Sequence, residues 1–247
     1  MTDAQIIADR CTDAYNEPDR AVLAEMVTSL WAPDGAHFGG FSAKGHDELV
    51  SGIIQMRVEK VEPINLVFRL GSKVYSHEDV IMFLWEAVTG SEPPVATGAT
   101  VIKTTPDGRI QTDYSFTFVD DDPDQSQAQQ LADGFADVFN EPDPEARAAL
   151  VRKLWAPNGL HLGHFVAEGH QAITDGIAES YQQNNVEGQI RFQARRHAMR
   201  KGDAVFFLWD IVPLNSPDSS VAVGSEILFL DNDGRVTKDH TIMLEGD

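Results

Sequence analysis

The sequence predicts an α+β fold built twice in one chain, and three observations predict it. Leu30-Trp31-Ala32-Pro33-Asp34-Gly35 returns as Leu154-Trp155-Ala156-Pro157-Asn158-Gly159. Asn16-Glu17-Pro18-Asp19 returns as Asn140-Glu141-Pro142-Asp143, and Phe83-Leu84-Trp85-Glu86 as Phe207-Leu208-Trp209-Asp210, all at one constant offset. Within each copy helical periodicity comes first and strand periodicity second, the order of an α+β domain. Each copy is long enough to bury its own core, so the expected domains are 1–120 and 125–247 rather than the repeats of a solenoid.

Each element has a local cause. Thr2-Asp3-Ala4-Gln5 and Ser126-Gln127-Ala128-Gln129 have capping-box spacing and open the first helices. Their apolar stripes are Ile6, Ile7, Cys11, Ala14 and Tyr15 in one copy, and Leu131, Phe135, Val138 and Phe139 in the other. Both helices stop at Asn-Glu-Pro-Asp, because the residue before a proline avoids the helical region. Asp19 and Asp143 then cap a second helix, with Pro144 suited to its first turn. That helix carries Val22, Leu23, Met26, Val27 and Leu30, against Ala146, Leu150, Val151 and Leu154. A short extended piece follows the tryptophan motif as far as His37 or His161. Gly45-His46 and Gly169-His170 introduce a third helix, with Leu49, Val50, Ile53 and Ile54 against Ile173, Ile177 and Tyr181.

Four strands rich in β-branched and aromatic residues are predicted next, at 65–70, 80–88, 96–103 and 110–118, and at 190–195, 204–212, 221–230 and 236–244. Pro106-Asp107-Gly108 and Asn232-Asp233-Gly234 turn the last two strands of each copy. Asp120-Asp121-Asp122-Pro123-Asp124 reads as an acidic linker. Three helices laid on one face of a curved antiparallel sheet enclose a conical cavity, the default place for a small ligand.

Composition narrows the function. The net charge of −20 repels phosphates, so nucleic acid and anionic membrane surfaces are not expected partners. Cys11 is the only cysteine, which excludes an intrachain disulfide and a thiolate metal cage. No apolar signal core or long apolar run is present, so a cytoplasmic protein is expected. No Ser-His-Asp spacing, phosphate-binding glycine loop or nucleophilic cysteine motif is visible, and no cofactor is expected.

The assembled motifs resemble the SnoaL-like branch of the nuclear-transport-factor-2-like (NTF2-like) superfamily. They are the Asn-Glu-Pro-Asp turn, Leu-Trp-Ala-Pro-Asp-Gly, Gly-His before the third helix, Phe-Leu-Trp-Glu in a strand, and Asp-Gly-Arg-Ile-Gln-Thr-Asp-Tyr at 107–114. The resemblance covers nearly the whole chain, once per half. It implies two tandem cone-shaped domains and an activity among polyketide cyclisation, isomerisation, dehydration and epoxide opening, or binding and dimerisation without catalysis. It also implies an apolar, natural-product-like small-molecule ligand. Many SnoaL-like sequences carry an acid a few positions after the Asp-Gly of the tryptophan motif; Gly39 and Gly163 stand there instead.

The candidate catalytic residues are Asp113 and Asp239, matched on the last strand, and His37 and His161, matched after the tryptophan motif. An enclosed carboxylate works as general acid or base, and a cavity-facing imidazole can polarise an oxygen or shuttle a proton. The competing readings are a solvated carboxylate on the outer sheet face and a histidine bonded to backbone. Trp85, Trp209, Trp31, Trp155 and Tyr15 are candidate ligand contacts, with core packing as their alternative. Tyr114 and His240 alternate with the aspartates and face the other side of the sheet. His46 and His170 read as helix-start residues. No metal is expected: His161, His164 and His170 lack ligand geometry on a strand, and Gly40 replaces His164 in the first copy. The calcium-loop-like Asp231-Asn232-Asp233-Gly234 reads as a hairpin turn. Because 80–88 and 204–212 are apolar on both faces, the halves are expected to pack sheet against sheet as an intrachain pseudo-dimer, with further homo-oligomers open. Divergence such as Asp34 to Asn158 leaves open which copy keeps a working site.

Overall fold

A computed structural model describes residues 3–90, 93–118, 126–216 and 218–244. The chain divides into two compact units, Met1–Val119 and Asp120–Asp247. Thr2 of the first capping box and the acidic linker 120–124 lie outside the described residues.

The first unit runs α1 (Asp3–Asn16), α2 (Arg20–Leu30), β1 (Trp31–Phe38), β2 (Ser42–Lys44) and α3 (His46–Met56). A π-helical turn over Arg57–Val61 leads into β3 (Leu66–His77), β4 (Val80–Thr89), β5 (Ala96–Thr104) and β6 (Ile110–Thr117). The second unit repeats the order with α4 (Ser126–Asn140), α5 (Pro144–Leu154), β7 (Trp155–Leu162), β8 (Val166–Glu168) and α6 (Gly169–Tyr181). Then come β9 (Ile190–Ala194), β10 (Met199–Lys201), β11 (Ala204–Pro213), β12 (Ala222–Leu230) and β13 (Val236–Leu244). Each unit is an α+β domain of the expected plan, three helices and one sheet.

The sheets are larger than periodicity suggested. The first has the order β2-β1-β6-β5-β4-β3, and the second β10-β11-β12-β13-β7-β8 with β9 also on β11. The pieces after the tryptophan motifs are full strands, and they run parallel to the last strand of their unit while the remaining pairs are antiparallel. Periodicity hid them because the motif is a bulge. Trp31 pairs with Ile110, and the next pair is Ala36 with Thr112, so 32–35 loop out of the ladder. Proline cannot donate to a ladder. Gly35 is needed because a Cβ there would stand 2.9 Å from the Ala32 carbonyl oxygen. The second motif makes the same detour between Trp155–Val236 and Leu160–Lys238.

The Asn-Glu-Pro-Asp turn does two jobs. Asp19 accepts from Ala21 N at 2.7 Å and Val22 N at 3.1 Å, and Asp143 accepts from Ala146 N at 2.8 Å, so both cap the next helix. Asn16 pairs with the backbone of Phe68 in both directions (2.7 and 2.9 Å), and Asn140 does the same with Phe192 (2.7 and 3.0 Å). A side-chain amide thus docks α1 or α4 on the first long strand.

The helix stripes differ in detail from the periodic reading. Ile6 and Val22 are exposed, and Ala8, Cys11 and Ala14 form the buried face of α1. Small residues let the helix backbone approach the sheet, so volume rather than hydrophobicity chooses the face. Gln129 is no capping-box partner: its amide donates to Asp133 (2.9 Å) and the Arg195 carbonyl (3.1 Å), and its oxygen accepts from Ala198 N (3.1 Å).

Trp85 and Trp209 lie flat across Gly98 and Gly224 on the neighbouring strand. A Cβ on Gly224 would run into the Trp209 ring. Gly224→Ala is therefore expected to cost about 1–3 kcal/mol of stability through overpacking. Urea unfolding checks this, and an unchanged midpoint would count against the ring position.

Candidate functional site

The bulge after Trp31 has a chemical consequence. It lets two residues far apart along β1 reach one carboxylate on β6. Asp113, 0% exposed, accepts from the Trp31 indole Nε1 at 2.9 Å on Oδ1. On Oδ2 it bonds His37 Nδ1 at 2.6 Å and accepts from the Tyr15 hydroxyl at 3.2 Å. The Tyr15 hydroxyl also lies 3.0 Å from His37 Nδ1. His37 stands directly beside Asp113 in the parallel ladder. The second unit repeats the arrangement: Asp239 meets Trp155 Nε1 and His161 Nδ1, both at 2.6 Å, and His161 and Asp239 are 0% exposed.

This geometry assigns proton positions. A carboxylate only accepts, so the imidazole donates Nδ1–H to Asp113 and Nε2 is the bare nitrogen of the neutral ring. Asp113 has its oxygens engaged by three donors. Burial, and then the charge of Asp113, raise Tyr15 well above the usual phenol range, so Tyr15 is a neutral donor. The same two causes raise Cys11, which keeps it a thiol and a poor nucleophile.

Nε2 faces the strand's turn. A Cβ on Gly39 would stand 2.6 Å from His37 Nε2, and one on Gly163 would stand 2.9 Å from His161 Nε2. Gly39 and Gly163 are what seats these rings.

His37 and Tyr15 line a cavity of about 250 Å³ in the first unit, together with Cys11, Phe68, Trp85 and Thr100. Trp31 is fully buried and acts on Asp113 from behind, and is not among the lining residues. His46 and His170 bond through Nε2 to the Trp31 and Trp155 carbonyls, at 3.0 and 2.9 Å, tying the start of α3 and α6 to the motif. Among the described residues no group of three or more His, Cys, Asp or Glu is placed to hold a metal ion.

The second unit keeps the dyad but fills its interior. Phe135 stands where the first copy has Cys11, and its ring contacts Phe139, Trp155 and Phe207 at 5.1, 5.5 and 5.8 Å. Phe139 replaces Tyr15, so the third donor to the carboxylate is gone. His164 replaces Gly40 and sits 6.2 Å from His161 and 4.7 Å from Phe165. Burial first, then the neighbouring His161, lower the His164 pKa. His161 Nε2 is buried without a hydrogen-bond partner.

Periodicity gave no sign of Glu226. It lies opposite Phe207, as Thr100 lies opposite Phe83, and is 0% exposed. Thr241 donates to its Oε2 at 2.9 Å, while Oε1 has no partner. Burial above all, and next the charge of Asp239, raise its pKa well above the carboxylate range. The signal was a lone acid in the apolar run 222–230, on the inward alternation.

A raised carboxyl means that the folded chain keeps a proton the unfolded chain, with a glutamate pKa of about 4.3, gives up. The associated stability is fully present below that value and is lost as pH rises towards the folded pKa. Glu226→Gln removes the titration, so it is expected to raise the thermal midpoint more at pH 8 than at pH 5. Equal shifts at the two pH values would contradict the buried, protonated state.

No helix in the described residues is long and apolar enough to cross a membrane. No protein-family model matches the chain, and no curated protein matches it. Solved structures do. A SnoaL-like family protein from Agrobacterium tumefaciens is 23% identical, with a TM-score of 0.44, covering 49% of this chain and 99% of its own. A SnoaL-like protein of unknown function from Burkholderia thailandensis is 13% identical, with a TM-score of 0.38, covering 48% of this chain and 99% of its own. An NTF2-like protein of unknown function from Exiguobacterium is 19% identical, with a TM-score of 0.38, covering 47% and 99%. The chain is similar to SnoaL-like and NTF2-like proteins over one half-length at a time, and its own architecture is two α+β units in tandem.

Proposed function

We propose that the first unit is a small-molecule enzyme of the SnoaL-like type that works by acid/base chemistry without a cofactor. The class of reaction is isomerisation, cyclisation, dehydration or epoxide opening of an apolar substrate, as the sequence resemblance implies. One observation carries the reading: a cavity wall holds an imidazole whose far nitrogen is locked to a fully buried carboxylate.

The roles follow from that lock. Asp113 orients His37 and stabilises its cationic form, and His37 Nε2 takes the proton from a substrate carbon or hands one to an oxygen. This reverses the simplest sequence reading, in which the aspartate moves the proton and the histidine polarises. Three donors already occupy the oxygens of Asp113, which favours the imidazole as carrier. Tyr15, a neutral phenol beside both, supplies a hydrogen bond to the carboxylate and holds the pair in register.

The second unit reads as scaffold. Its aromatic filling around His161 supports a non-catalytic role there, which is the binding or assembly alternative applied to one half. We also propose that the halves pack sheet against sheet as an intrachain pseudo-dimer, since strands β4 and β11 are apolar in sequence on both faces and one face of each lies over its own helices. Residues 1–119 expressed alone are expected to self-associate or precipitate, and a well-behaved monomer would rule the packing out.

The chemistry is tested by deuterium exchange of the α-protons of 2-tetralone, a compact enolisable ketone, followed by NMR in D2O. The intact chain is expected to accelerate exchange, with His37→Gln losing about 10²–10⁴-fold of that acceleration. Asp113→Asn is expected to lose roughly 10–100-fold by releasing the ring. His161→Gln should leave the exchange rate of the folded chain unchanged. Exchange that survives His37→Gln, or that fails in His161→Gln instead, would overturn the assignment.

A further inference from the structure

We propose that the first unit's cavity selects small anionic molecules, a one- or two-ring acid whose carboxylate meets Lys60 at the mouth. The proposal deepens the reading above by naming the substrate class of the same cavity.

Size sets the first limit. About 250 Å³ is the room of roughly eight waters and falls below the roughly 300–1,000 Å³ of drug-sized sites. A compact bicyclic molecule fits such a space and a four-ring one does not.

Charge sets the second. The chain has 39 acidic residues against 19 Lys and Arg, yet no lining residue of the cavity carries a carboxylate. Asp113 is shielded from the cavity behind the Tyr15 and His37 groups that bond it. Lys60 is the one lining residue with a fixed charge. It sits on the π-helical turn after α3, and its Nζ would lie 3.9 Å from a Cβ on Gly40, so it reaches over the glycine at the cavity rim. Neighbouring acids are engaged elsewhere: Glu59 accepts from Gln55 at 2.8 Å, and Glu62 lies 3.9 Å from Arg57. Among the described residues Lys60 makes no ion pair. The hydroxyls of Thr100 and Ser115 add neutral donors to the lining.

Comparison of the two copies separates recognition from accident. Where the second unit fills its interior, Asn184 stands in place of Lys60 and bonds to Ser180 at 3.0 Å, and His164 stands in place of Gly40. The second unit also carries the buried Glu226 where the first has Thr100, a longer side chain in the same inward place. Cation, rim glycine and acid-free wall therefore occur together with the cavity, and their replacements occur together with the aromatic packing of Phe135 and Phe139.

An anion approaching a chain of charge −20 meets repulsion at long range that salt screens. The local cation must outweigh it within contact distance, so selectivity resides in the bound state.

The test compares 2-naphthoate with its neutral isostere 2-naphthamide by isothermal titration calorimetry on the full chain at pH 7.5. The carboxylate is expected to bind about tenfold tighter, as suits one charge-assisted hydrogen bond. Lys60→Gln should erase the preference without altering the circular dichroism spectrum, and Lys60→Arg should restore it. Equal binding, tighter binding of the amide, a preference that survives Lys60→Gln, or no binding of either compound would overturn the proposal. Asp113→Asn separates this from the catalytic reading. If it abolishes exchange of 2-tetralone but keeps the naphthoate preference, both stand. A naphthoate preference in a chain with no exchange activity leaves anion selection standing and catalysis refuted.

Discussion

A carboxylate removed from water must be surrounded by donors or give up its charge. In each half of this chain that requirement falls on one aspartate of the last strand, Asp113 or Asp239, both 0% exposed. The donors come from the other end of the domain: the indole that closes the second helix and the imidazole at the end of the strand that follows. The parallel pairing of that strand with the last one extends the sheet, and the carboxylate pins that pairing. Removing one donor leaves a buried charge under-satisfied, a change that costs about 3–5 kcal/mol in comparable pairs. The same cluster thus holds the fold together and equips the cavity.

The tryptophan motif gains its meaning from this arrangement. Its proline and glycine interrupt the ladder so that Trp31 and His37 reach one side chain, although an unbroken strand would set them too far apart. Gly39 is the seat of the imidazole, because a Cβ there would stand 2.6 Å from His37 Nε2.

Duplication then let the interiors diverge while the frame stayed. Cys11, Tyr15, Gly40 and Thr100 face Phe135, Phe139, His164 and Glu226 at matching places. Each exchange closes or acidifies the second interior. The dyad of the second unit pins the same pair of strands, with His161 Nε2 buried and unpartnered among aromatic rings. A matched pair of polar residues in a repeat is therefore no guide to which copy reacts.

The order of elements, the two-fold repetition, the helix caps at Asp19 and Asp143 and the turns at Gly108 and Gly234 were all legible in the chain, because each depends on neighbours within a few positions. The pairing of His37 with Asp113 was legible only as two matched candidates. What their roles would be was not, because proton positions depend on which atoms meet across 76 positions of sequence. The strand nature of the tryptophan motif, the burial of Glu226 and the position of Lys60 over Gly40 likewise belonged to the tertiary structure. Local preference is written in short-range sterics and hydrogen bonding, whereas burial and charge environment are properties of the whole packed domain, and those decide the chemistry.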